Sequence, residues 1–150
     1  MTADGIREPT AVQTEGIPAV LAGAHVVMHS GTGTGKTLAY LLPVLQRLRT
    51  DEGRAVVFAP GAELAMQTLA VAMAYKDEAL TAAAVISSSS HRRQRKRIGR
   101  STRLVIGTPD RLLEMFRSGK LKGVRTIVLD EIEPILAARG ADFLYELLSR

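Results

Sequence analysis

The chain has 150 residues, of which 46% are hydrophobic and 23% charged, with 20 Lys and Arg against 15 Asp and Glu. That balance fits one globular domain over residues 1–150, long enough to bury roughly 68–70% of the surface its unfolded chain exposes, and excludes a disordered tail. The lack of cysteine removes thiol nucleophiles, Cys-ligated zinc and iron–sulfur clusters, and leaves the redox compartment open. No apolar stretch reaches the ~18 residues a membrane span needs, and Met1 to Arg7 do not read as a signal peptide. A soluble, intracellular, unprocessed chain with no membrane partner is the expectation. The net charge of +5 is local: Arg92, Arg93, Arg95, Lys96, Arg97, Arg100 and Arg103 follow one another with no acid among them, and the remainder is mildly acidic.

In chain order, short apolar runs recur at Val26–Met28, Ala55–Ala59, Ala82–Ile86, Leu104–Gly107 and Thr126–Leu129. Their near-continuous hydrophobicity predicts strands buried on both faces, as in a parallel sheet. Between them, Lys36–Arg49 places Leu38, Leu41, Leu42, Leu45 and Leu48 at helical spacing, and Glu63–Tyr75 does the same with Leu64, Met66, Leu69 and Met73. The Ser87–Ser90 patch leads into a basic segment, Ser90–Gly99, that reads as a further helix. Alternating strand and helix predict an α/β domain with a mostly parallel central sheet flanked by helices. Ligands in such folds sit at the carboxyl ends of the strands, so the residues just after each run are the candidates for chemistry.

After the first run comes Ser30-Gly31-Thr32-Gly33-Thr34-Gly35-Lys36-Thr37, opening into a helix. A phosphate cradle needs glycines that let successive N–H groups face one anion, a helix start, a Lys for the outer phosphates and a hydroxyl for Mg²⁺. All four are present in order. The rival reading, a dinucleotide fold, wants an acid at the end of the second strand. That strand ends Phe58-Ala59-Pro60, so the rival loses. The last run ends Leu129-Asp130-Glu131, two carboxylates suited to holding Mg²⁺ and positioning an attacking water. A plain helix start would explain such a pair equally well, were the phosphate loop not also present.

These residues resemble the DEAD-box RNA helicases. Gly5 to Pro18 looks like their Q motif, residues 30–37 like motif I, Pro60 to Gln67 like motif Ia, Thr108-Pro109-Asp110-Arg111 like motif Ib, and Asp130-Glu131-Ile132-Glu133 like motif II. The resemblance implies the first RecA-like domain of an ATP-dependent RNA helicase, with ATP and Mg²⁺ as cofactors and RNA as partner. It implies that Gln13 reads adenine with Thr10 holding its loop. Ser30, Gly31, Thr32, Gly33, Thr34, Gly35, Lys36 and Thr37 would cradle the phosphates, with Lys36, Asp130 and Glu131 catalytic. Thr37 and Asp130 would hold the metal. Pro60, Gly61, Thr108, Pro109 and Arg111 would contact RNA. Motif III and a second RecA-like domain are expected in a longer protein.

The departures from the family pattern are confined. Ser30 stands for Ala in motif I, Gly61-Ala62 for Thr-Arg in motif Ia, Asp110 for Gly in motif Ib, and Ile132 and Glu133 alter motif II. Nucleotide-binding groups are kept and RNA-facing ones are changed. A non-catalytic RNA-binding or scaffold module is therefore the alternative. The basic run, with Arg92, Arg93, Arg95, Lys96 and Arg97 at its centre, is either a solvated helix or an extra contact for the RNA backbone. No aromatic lies within Ser87 to Arg103, so stacking on bases is not expected there.

Overall fold

A computed structural model describes residues 8–51, 53–86, 98–140 and 142–148. The expected single domain resolves into two compact units, Met1–Thr50 and Asp51–Arg150.

The first unit holds α1 (Ala11–Leu21) and α2 (Lys36–Thr50), which pack together. Gly16 of α1 lets Met28 lie against the helix: a Cβ there would come within 2.7 Å of the Met28 Cε. The strand expected over Val26–Met28 does not form. Residues 24–30 carry no regular structure, and Val27 is 97% exposed. Apolarity alone does not make a strand, because its backbone groups need a ladder partner, and no described strand pairs with this run.

The second unit contains the other four expected strands: β1 (Arg54–Phe58), β2 (Thr81–Val85), β3 (Thr102–Gly107) and β4 (Val124–Leu129). They form one sheet in the order β2-β3-β1-β4 with every neighbouring pair parallel. Helices α3 (Ala62–Tyr75), α4 (Pro109–Arg117), α5 (Ile132–Arg139) and α6 (Asp142–Leu148) complete it. The inner strands meet the two-face burial expected of parallel strands: Val56, Val57, Phe58, Leu104, Val105 and Ile106 are all fully buried. The outer strands do not. β2 is only partly covered, and on β4 Arg125 and Ile127 are exposed while their neighbours are half-buried.

The core is built around Phe58, whose ring stacks on Phe116 at 6.4 Å and meets Phe143 edge-on at 5.4 Å. Leu112 and Met115 of α4 and Ile135 of α5 belong to the same cluster. So does Ile98, the apolar residue that ends the basic run. At the amino end of β1 the buried Arg54 donates to the carbonyls of Lys120, at 2.8 Å, and of Gly99. Burial, and then the nearby Arg103 charge, lower its pKa. Arg92, Arg93, Arg95, Lys96 and Arg97 lie outside the described residues, as does most of the helix expected there.

Candidate functional site

In the first unit the site is the Ser30–Thr37 loop. Gly33 and Gly35 adopt left-handed backbone at φ of 72° and 88°, conformations that L side chains reach only at a cost. These two residues turn the loop into the start of α2. Gly33 has open space where a Cβ would stand, and Gly31 meets only the Thr34 methyl at 3.8 Å, so the inner face of the loop is clear of side chains. Gly35 is different. A Cβ there would collide with the Gln13 amide and approach Thr10 Oγ1 at 3.4 Å.

That close approach links the two nucleotide motifs. Gln13, third residue of α1, accepts from the Thr10 N–H through Oε1 at 3.0 Å and donates through Nε2 to the Gly35 carbonyl at 3.2 Å. The first bond caps the helix start; the second ties that start to the phosphate loop. Gln13 is thus buried, where an exposed helical position was the plain alternative. An amide has two donor hydrogens and two acceptor lone pairs, so one of each remains after these bonds.

Lys36 turns back on its own loop and donates to the carbonyls of Ser30 at 2.5 Å and Gly31 at 2.6 Å. Thr34 donates to the Gly31 carbonyl at 2.8 Å, so in its 2.7 Å contact with Ser30 the serine hydroxyl is the donor. Ser30, one of the departures from the family pattern, therefore adds a hydrogen bond within the loop. No signal in the sequence distinguished it from a neutral exchange.

In the second unit three loops leave the carboxyl ends of β1, β3 and β4. Backbone bonds that continue the ladders hold them there: Ala59 N–H to Gly107 O, Thr108 N–H to Val85 O and Asp130 N–H to Phe58 O, at 2.9, 3.2 and 2.9 Å. Gly107 has to be glycine, since a Cβ would strike the Val85 carbonyl. Asp130 is 8% exposed at the end of β4. Glu131, exposed, begins α5 at φ 49° and ψ 66°, the single non-glycine residue with positive φ among those described.

A cavity of about 370 Å³ opens beside these loops, lined by Pro60 and Gly61, by Thr108 and Pro109, and by one face of α5. Thr108 begins α4 with Pro109 in its first turn, so the expected helix start and the expected ligand position coincide. Arg111 does not line the cavity. It is 2% exposed and pairs with Glu114, so a direct contact to a ligand would require its guanidinium to leave that carboxylate. Among the described residues no helix is long and apolar enough to cross a membrane.

The sequence model of the family described as DEAD/DEAH box helicase matches residues 10–150. The chain belongs to that family. As a DEAD/DEAH box chain it is 35% identical to a probable ATP-dependent RNA helicase of Bacillus subtilis over 97% of its length, and 38% identical to a DEAD-box ATP-dependent RNA helicase of Bacillus cereus over 88%. It covers 40% and 35% of those two proteins. Among solved structures it is similar to a DEAD box protein from Methanococcus jannaschii. That match has a TM-score of 0.89 and 26% identity, and covers 99% of this chain and 42% of the other. The parallel sheet flanked by helices is the RecA-like domain of this family.

Proposed function

We propose that this chain is the ATP-binding part of an ATP-dependent RNA helicase and that it acts with a second RecA-like domain. One observation carries the reading: a loop with two left-handed glycines, opening on a helix, has its lysine ammonium resting on its own carbonyls. Those carbonyls occupy the ammonium only until a better anion is present. A triphosphate would draw Lys36 onto its outer oxygens and accept from the N–H groups at the start of α2. Gln13, held by Thr10 and Gly35, keeps one donor and one acceptor with which to read the adenine edge.

Thr37 and Asp130 would hold Mg²⁺, which supplies charge neutralisation at the phosphates. Glu131 would orient the hydrolytic water. Its backbone conformation directs the chain sharply out of β4, leaving the carboxylate exposed rather than packed. Pro60, Gly61, Thr108 and Pro109 would form the RNA-facing rim, with Arg111 supporting the start of α4 through Glu114. The basic run around Arg92, Arg93, Arg95, Lys96 and Arg97 would add sequence-independent contacts to the RNA backbone.

Hydrolysis by this chain alone should be slow, because phosphoryl transfer depends on cations that stabilise the transition state and a partner domain would have to supply them. Calorimetric titration with Mg·ATP tests the reading. The wild type should release binding heat and Lys36→Ala should not; equal heats would remove the phosphate-loop assignment. Affinity for single-stranded RNA with and without ATP then separates a helicase component, in which the two couple, from a scaffold, in which they do not.

A further inference from the structure

The cavity beside the β1 and β3 loops has an ion pair at its rim. Asp110 sits in the first turn of α4 and Arg139 in the last turn of α5, and each helix end suits the charge it carries. Helix ends explain the two charges separately but not their meeting. The Arg139 guanidinium reaches Asp110 Oδ1 across 29 positions of sequence, and both residues line the same cavity. The remaining lining is apolar or uncharged, so Arg139 is its one cation and Asp110 its one anion among the described residues.

We propose that Arg139 is a further ligand for an RNA backbone phosphate and that Asp110 is its built-in competitor. This rests on the cavity being the RNA-facing rim, as argued above. A carboxylate and a phosphodiester seek the same forked edge of a guanidinium, so they exclude one another on Arg139. The resident pair is exchangeable: the Asp110 side chain is 66% exposed and that of Arg139 28%, and water screens such a contact. A phosphate already placed by the neighbouring loops arrives at high effective concentration and takes the guanidinium; a stray anion does not. The pair therefore raises the threshold for capture and favours an RNA strand seated along the whole rim.

The test uses the 150-residue chain and a labelled oligouridylate, with affinity measured across a range of salt. Asp110→Asn should tighten binding roughly three- to five-fold near 0.1 M salt, as expected for release of an exposed ion pair. It should also steepen the slope of log K against log salt by about 0.7, for one added phosphate contact to a single strand. Adding Arg139→Gln to that variant should return the slope to the wild-type value. Adding Arg117→Gln instead, which removes the same charge from the far end of α4, should leave the steeper slope in place. Far-UV circular dichroism checks that each variant is folded. If Asp110→Asn binds like the wild type, or if Arg139→Gln changes no more than Arg117→Gln, the competitor is refuted while the RNA site stands. If no protein binds the oligonucleotide, the RNA reading of the cavity falls and this proposal falls with it.

Discussion

Replacing Gly35 by alanine strikes the point where the two nucleotide motifs join. Two costs add there. An L-residue at φ 88° costs about 1–2 kcal/mol in backbone strain. The new methyl also meets the Gln13 amide, and either the amide moves and its 3.2 Å bond to the Gly35 carbonyl breaks, or the helix start shifts. Overpacking of this kind costs about 1–3 kcal/mol, and the lost hydrogen bond is part of it. Loss of glycine's freedom in the unfolded chain returns about 0.4–1 kcal/mol. The expected destabilisation is therefore about 2–4 kcal/mol. Gly33→Ala is the internal control. Its φ of 72° carries the same strain but no atom stands within 4 Å of the added Cβ, so it should lose only about 1 kcal/mol. Urea unfolding followed by circular dichroism reads the difference as a midpoint roughly 1 M lower for the Gly35 variant. Gln13→Ala combined with Gly35→Ala should be less damaging than the sum of the two, since it removes the collision. Equal midpoints for the two glycine variants would refute the contact as the reason Gly35 is required.

Two further substitutions probe the second unit. Glu131→Gly should be about 1 kcal/mol more stable than Glu131→Ala, because only glycine relieves the positive φ, and both should lose hydrolysis while keeping ATP binding. Alanine proving the more stable of the two in thermal melts would show that the backbone there is unstrained. Thr68 of α3 is 1% exposed and its hydroxyl makes no hydrogen bond among the described residues. Thr68→Val should therefore leave stability unchanged or raise it by about 1 kcal/mol in urea unfolding, and a loss of that size would reveal a partner for the hydroxyl.

The sequence by itself determined the order of strands and helices after residue 35, because buried parallel strands and amphipathic helices impose different spacings that composition alone exposes. Residues 55–59, 82–86, 104–107 and 126–129 all became strands within two positions of the expected bounds. The phosphate loop was equally legible, since its glycines, lysine and threonine must be consecutive. Only the tertiary structure decided the rest. Val26–Met28 has the composition of a strand, yet a strand exists only with a ladder partner, and partners are not local. Gln13 on Gly35, Arg54 on Gly99 and Lys120, and Arg139 on Asp110 join residues 22 to 66 positions apart. Local sequence carries no record of such pairings, because each is set by where the folded backbone brings two side chains. What the sequence showed as a change from Gly to Asp at position 110 became, in the fold, a carboxylate with a specific cation to hold.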